Sequence, residues 1–279
     1  MRTRGYIKYL LHEYVPTQRG WFVYFGERVY FPRGSELFKR ACEEGIFEKE
    51  NVRLLNALSQ PQTTMFDIGA NIGLMSLPVL SAVRDVSVVA FEPSPNSLPF
   101  LRRTVKHSRY AHRWNVVGKA ASSTVGEVSF TIGAPQNGAF DGLVATGRVP
   151  SSGIVQVEAT TIDKEWKALG TPSVSVLKCD VEGAEVDVLN GAVECIRTCR
   201  PAIMVEWNER NLAPCGVPIQ AILDYARANG YELFSAPSLA PVVGEQSLRC
   251  HMGITETFLL LAVGDGARRP CHGRRGRQE

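Results

Sequence analysis

From residue 63 onward, apolar residues come in short blocks separated by amphipathic stretches, the pattern of strands alternating with helices. Thr64–Asp67 reads as a strand ending in an acid, followed by the glycine-rich segment 68–73 and a helical run through Val83. Val86–Glu92 is a second strand that again ends in an acid. Ser94 starts a helix reaching about His107, and Asn115–Gly118 is a third strand. Residues 126–133 and 154–161 are further extended pieces around a Gly/Ser/Pro-containing loop, and 163–169 is a short helix. Ser173–Asp180 is nearly continuous in apolar residues, as in a parallel strand buried on both faces. Then come a helix Glu185–Thr198, a strand Ala202–Glu206 and a helix Ile219–Asn229 stopped by Gly230. Two strands, 232–235 and 257–263, close the pattern, joined by a loop without a helical signal. The expectation is an α/β, doubly wound, Rossmann-like sheet, mostly parallel, with an antiparallel final edge strand. No internal repeat is visible.

Residues 1–58 read as a separate N-terminal extension, a cap or lid beside the main domain at 59–264. Its aromatic stretch 21–31 predicts a hairpin turning at Gly26-Glu27. Ser35 is placed to cap a helix over Glu36–Glu44, and a second helix is expected over about 48–58.

Composition narrows the class. The 279 residues are 44% apolar and 21% charged, as in an ordinary globular protein with a sizeable core. No apolar run approaches the ~18 residues that span a bilayer. The N-terminus has an apolar part broken by Lys8 and His12 and lacks a small-residue cleavage site, so no signal peptide is read. The net charge of +3 is matched by the tail 265–279, with Arg268, Arg269, Arg274, Arg275 and Arg277 against Asp265 and Glu279. The tail is expected to be disordered, and a neutral body gives no reason to expect nucleic acid. The seven cysteines form no C-x-x-C pair, which disfavours zinc or a disulfide framework and points to a reducing cytoplasm. Nothing in the chain sets an oligomeric state.

Four strands end in acids: Asp67, Glu92, Asp180 and Glu206. In open parallel sheets ligands bind outside the carboxyl ends of the strands, so the four should converge on one crevice. Each alone could equally serve a helix N-terminus. The turn Asp67-Ile-Gly-Ala-Asn-Ile-Gly73 spaces its glycines as G-x-x-x-G, not the G-x-G-x-x-G that cradles a pyrophosphate. An acid at its mouth repels phosphate and suits a cation; S-adenosylmethionine has a sulfonium, an ammonium and no phosphate. Gly69 and Gly73 would let the backbone approach a ligand, and Asn71 offers a hydrogen-bonding side chain. An ordinary strand-to-helix turn is the bland alternative. Glu92 stands where this fold places the carboxylate that accepts ribose hydroxyls, a feature shared by dinucleotides.

Six segments occur in order: Asp67-Ile-Gly-Ala-Asn-Ile-Gly, Phe91-Glu-Pro, Thr161-Ile-Asp, Lys178-Cys-Asp-Val-Glu-Gly-Ala-Glu185, Leu189-Asn-Gly-Ala192 and Arg200-Pro-Ala-Ile-Met-Val-Glu206. Together they resemble the FkbM-type methyltransferases over about residues 60 to 263. The resemblance implies a class I methyltransferase fold, S-adenosylmethionine as cofactor and O-methylation as activity, with Asp67, Gly69, Asn71, Gly73 and Glu92 lining the cofactor. Cys179 departs from the pattern, standing where the family has an aliphatic residue.

Methyl transfer from a sulfonium is an in-line displacement that needs alignment, and an aliphatic hydroxyl gains from a nearby base. Asp180 and Glu182 are the first candidates, and Glu206 is the third. Against them, Glu182 and Glu185 could serve a helix N-terminus, with Lys178 paired to one of them. The carboxylates are also of the type Mg²⁺ accepts, but their spacing fixes no octahedral geometry, so a metal is the lesser expectation. His107 and His112 read as surface residues and His251 as a loop residue. The Asp180-Val-Glu-Gly segment lacks the Pro-Pro-aromatic motif of base methyltransferases. The expected acceptor is a small molecule or sugar. A protein or lipid acceptor, or a non-catalytic binding protein on the same fold, is the alternative. The loop 134–153, with Phe140, Leu143 and Val144, and the aromatic stretch 21–31 are expected to shape the acceptor pocket.

Overall fold

The computed structural model describes residues 9–11, 20–135, 138, 141–144 and 150–264. The basic tail, Phe140 and Cys271 lie outside the described residues. At the centre is an eight-stranded sheet. In chain order its strands are β3 (Thr64–Ile68), β4 (Ser87–Phe91), β5 (Trp114–Val117), β9 (Val174–Cys179), β10 (Ala202–Glu206), β11 (Tyr231–Ser235), β12 (Ala240–Pro241) and β13 (Thr257–Ala262). Across the sheet they run β12-β11-β13-β10-β9-β3-β4-β5. The five strands from β10 to β5 are parallel, whereas β13 is antiparallel to both neighbours. The final strand is thus antiparallel as expected, but it is inserted between β10 and β11. Its Phe258, Leu259 and Leu260 are almost fully buried, which suits an interior strand. The margin goes to the two-residue β12, whose Pro241 has no N–H to offer a further strand.

Successive residues of the strands feed opposite faces, so the sheet carries two cores. Phe66, Leu177 and Ile203 pack with the helices over residues 185–199 and 221–228. Met65, Val176 and Met204 pack on the other face against helix Ser76–Ala82 and against the N-terminal extension. There Phe22, Phe31 and Phe38 form an aromatic cluster, with Phe31 stacked on Phe38. The described part of the extension therefore shares a core with the sheet. Its hairpin, β1 (Trp21–Tyr24) and β2 (Glu27–Tyr30), turns at Phe25-Gly26, one residue before the expected place. Both turn residues have positive φ (47° and 80°), the geometry that matches strand twist in a two-residue loop. Glu27, freed from the turn, is buried and pairs with Arg109. Ser35 caps helix Glu36–Glu44 as expected, its hydroxyl accepting from the Phe38 amide at 3.3 Å.

Residues 126–132 (β7) and 153–160 (β8) join Ala120–Ala121 (β6) in a separate three-stranded sheet. The expected helix 185–198 is in fact two, Glu185–Asn190 and Val193–Cys199. They part at Gly191, where a Cβ would sit 2.1 Å from the Ser122 carbonyl oxygen. Asp163 reinforces the break by accepting the Glu194 and Cys195 amides that open the second helix. The loop before β13 also differs from expectation, because it contains helix Glu245–Met252. His251 is therefore helical, while His107 and His112 are exposed as expected. The six described cysteines are free thiols, and no described helix is long and apolar enough to cross a membrane.

Candidate active site

The carboxyl ends of β3, β4, β9 and β10 open into two adjoining cavities. The larger, about 850 Å³ with its mouth included, is lined by Gly69, Asn71, Glu92, Asp141, Asp180 and Glu182 among others, with Leu37 and Phe47 from the extension. The smaller, about 440 Å³, lies toward β10 and β13 and shares Met75, Lys178 and Asp180 with the first.

At the β3–β4 corner each acid has dedicated donors. Asp67 is fully buried beneath the glycine turn and does not reach either cavity wall. One carboxylate oxygen accepts from Ser76 Oγ at 2.6 Å, and the other faces Lys178 Nζ at 3.3 Å. Glu92 does line the larger cavity. Its two oxygens accept the amides of Asn71 and Ser94, each at 2.8 Å. Burial nonetheless pushes this carboxyl up to about 7, against the pull of those two amides. The Asn71 side chain donates to the Gly138 carbonyl at 3.1 Å, fastening the loop over the cavity.

The two glycines serve packing inside the protein rather than ligand approach alone. Gly69, at φ 75°, comes so close to β9 that a Cβ would lie 1.8 Å from the Asp180 carbonyl oxygen. Gly73 does not line the described cavities; a Cβ there would meet the Trp114 ring at 2.7 Å.

At the β9–β10 corner the acids face one another. Carboxylate oxygens of Asp180, Glu182 and Glu206 lie within 4.8 Å of each other. Burial, then the Asp180 charge, raises the Glu206 carboxyl well above the usual carboxylate range. Lys178 sits under this group, its Nζ 3.5 Å from Asp180 and 3.0 Å from the Gly69 carbonyl. Burial opposes its charge, but Asp67, Asp180 and Glu48 outweigh burial and raise its pKa. Lys178 therefore pairs with Asp67 and Asp180, not with Glu182 or Glu185. Glu182, at φ 56°, lines the larger cavity. Glu185 is the structural acid of the pair: it accepts the Val181 and Gly183 amides and shapes the loop before its helix.

Sequence reasoning did not find Asp141, Glu48 or Glu256. Asp141 is buried in the loop after β7 and accepts from Ser94 Oγ, Asn96 Nδ2 and the Gly133 amide. Glu48 and Glu256 line the smaller cavity. All three stand in stretches with no strand-end pattern, so the chain carried no signal for them.

Residues 67–233 match the family model described as the methyltransferase FkbM domain, well over half of the chain and the whole of both corners. The chain belongs to the FkbM methyltransferase family. Among curated members, it is similar to 2-O-methyltransferase NoeI of Sinorhizobium fredii (strain NBRC 101917 / NGR234), 26% identical over 63% of this chain and 76% of that protein. Hexuronic acid methyltransferase AglP of Haloferax volcanii is 28% identical over 54% of this chain and 59% of its own length. Among solved structures, methyltransferase FkbM from Methylobacillus flagellatus KT aligns over 80% of this chain and 53% of that one, with 14% identity and a TM-score of 0.45.

Proposed function

We propose that this methyltransferase uses S-adenosylmethionine to methylate a hydroxyl of a small molecule or sugar, with Asp180 as the base that receives the hydroxyl proton. The observation that carries this reading is the meeting of Asp180, Glu182 and Glu206 at the junction of two cavities, one of them bordered by Glu92 and the glycine turn.

The larger cavity suits such a cofactor. Its described lining holds four acids, Glu92, Asp141, Asp180 and Glu182, and one cation, Lys178, already engaged by two aspartates. A pyrophosphate would be repelled there, whereas a ligand with a sulfonium and an ammonium would be favoured. Glu92 would accept the ribose hydroxyls, and Gly69 and Asn71 would lie along the ligand. Bound S-adenosylmethionine supplies an electrophilic methyl group on a positively charged sulfur.

The remaining work falls to the protein. Asp180 lines both cavities, so an acceptor hydroxyl in the smaller one can reach it while facing the larger. Lys178 holds this carboxylate in position. Burial and its neighbour's charge favour the protonated form of Glu206, which would donate a hydrogen bond to Asp180 or to the acceptor. Alignment of acceptor and donor supplies much of the acceleration, and base catalysis adds about 10²–10⁴-fold. The names of the two curated relatives, a 2-O-methyltransferase and a hexuronic acid methyltransferase, support an oxygen acceptor on a sugar-like molecule. The free thiols support a reducing, cytoplasmic setting.

Calorimetric titration with S-adenosylmethionine, S-adenosylhomocysteine and NAD tests the cofactor. Saturable binding of both adenosyl ligands, no response to NAD, and loss in Glu92→Ala are expected. Binding of NAD, or of none of the three, would overturn the reading.

A further inference from the structure

Asp141 borders the larger cavity beside Glu92 and gathers donors of its own. One oxygen accepts the Gly133 amide at 2.7 Å, and the other accepts Ser94 Oγ at 2.5 Å and Asn96 Nδ2 at 3.0 Å. A hydroxyl, a side-chain amide and a backbone N–H thus converge on one buried carboxylate. The backbone next to it is pinned as well, because Gly142 exchanges two hydrogen bonds with Thr131 of β7, at 2.7 and 3.1 Å. Ser94 turns this cluster toward Glu92. Its hydroxyl donates to Asp141 and accepts the Asn96 amide at 3.0 Å, while its own amide donates to Glu92. Asn71 repeats the arrangement on the other oxygen of Glu92: its amide holds Glu92, and its side chain holds the Gly138 carbonyl. A Cβ at Gly138 would lie 2.8 Å from Ser97 Oγ, so the chain there presses directly on the residues that follow β4. Each residue that orients Glu92 through its amide is therefore itself held, through its side chain, by Asp141 or by Gly138.

Resting on the methyl-transfer reading, we infer that Asp141 is a positioning residue for the cofactor: acting through Ser94, it sets the angle at which Glu92 accepts the ribose hydroxyls. The amides of Asn71 and Ser94 take one lone-pair direction on each oxygen of Glu92, and the remaining directions are left for a ligand. Where those directions point depends on where the Ser94 amide stands. Ser94 is fully buried and does not itself line the cavity, so its influence on a ligand passes through Glu92. Without Asp141, the turn after β4 loses the group that gathers Ser94, Asn96 and Gly133, and Glu92 is free to swing away from the ribose. The loss would be confined to the part of the ligand that Glu92 touches. Contacts to the adenine and to the amino-acid end, made elsewhere in the cavity, would be kept.

The test titrates the full chain calorimetrically with S-adenosylhomocysteine and with its 2′,3′-dideoxy analogue, which lacks the two hydroxyls that Glu92 would accept. The parent protein is expected to favour S-adenosylhomocysteine by about tenfold or more, the scale of hydrogen bonds to a charged group. Asp141→Asn turns an N–H toward donors that need an acceptor. It is expected to shrink the preference to about threefold or less and to leave the affinity for the dideoxy analogue nearly unchanged. Ser94→Ala should do the same, and it carries the test alone should the first variant fold poorly. A merely structural defect would weaken both ligands equally and leave their ratio standing. An unchanged ratio in the variants, or no preference for the hydroxylated ligand in the parent protein, would overturn the inference. So would a reduced ratio in Asp141→Asn but not in Ser94→Ala, because Asp141 would then be touching the ligand itself. Failure of S-adenosylhomocysteine to bind the parent protein would instead remove the methyl-transfer reading beneath it.

Discussion

The two corners of the crevice handle the same chemical group in opposite ways. At the β3–β4 corner, Asp67 and Glu92 each receive two specific partners. At the β9–β10 corner, carboxylate oxygens of Asp180, Glu182 and Glu206 crowd together, with the Lys178 ammonium beside Asp180. Satisfied acids make a fixed surface suited to holding a ligand. Crowded acids cannot all be charged at once, because like charges a few ångströms apart raise one another's pKa. Such a group is poised to exchange a proton, so the contrast separates a binding corner from a reacting one.

The sharpest way to break that division is Asp180→Asn. Methyl transfer should fall by about 10²–10⁴-fold while S-adenosylhomocysteine affinity changes less than about threefold. A parallel loss of both would mean that the corners are not separate. The same assay with a chelator decides how the trio works: unchanged activity fits a proton acceptor. Activity lost on chelation and restored by Mg²⁺ would reassign the trio as metal ligands.

Lys178 bridges the corners, so Lys178→Met should be felt as stability. It leaves Asp67 buried with one oxygen facing no cation, and unfolding in denaturant should show a loss of about 3–5 kcal/mol. A loss under about 1 kcal/mol would mean that Ser76 suffices to carry Asp67.

The smallest effect concerns Glu185, whose carboxyl burial raises to about 7. The folded protein then holds a proton that the unfolded chain releases nearer pH 4.5. This stabilising contribution is complete below about pH 4.5 and is lost as pH rises toward 7. Glu185→Gln should keep the two loop amides bonded and flatten that part of the stability–pH curve, by at most about 3 kcal/mol across the window. An unaltered curve would place the raised pKa elsewhere.

Much of this geometry was legible in the chain because strand ends announce themselves. An apolar run closing on Asp67, Glu92, Asp180 or Glu206 marks both the element and its exit point, and the topology brings those exits together. What the glycines do was less legible. Gly69, Gly73 and Gly191 are required by close approaches of backbone or ring from segments far away in sequence, and spacing alone cannot name the partner. Asp67 was expected at the mouth of the turn but lies beneath it, because Lys178, over a hundred residues later, draws its charge inward. Asp141 and Glu48 were invisible for a related reason: their surroundings come from tertiary contacts, with no local periodicity to reveal them. The Thr161-Ile-Asp segment, one of the six that carry the family resemblance, is a pair of helix caps, Thr161 for its own helix and Asp163 for the helix beginning at Val193.

The hydrogen bond from Asn51 to Thr257 has a practical consequence for anyone who recombines members of this family. It stitches an early helix to the last strand, so one wall of the smaller cavity is encoded near the start of the described chain and the facing wall near its end. A chimera that exchanges the central segment alone would keep both walls of its recipient. One that exchanges a single end would pair walls that were never matched. Transplanting this cavity intact therefore calls for moving two distant stretches together, around Glu48 and around Glu256, while the glycine turn between them stays behind.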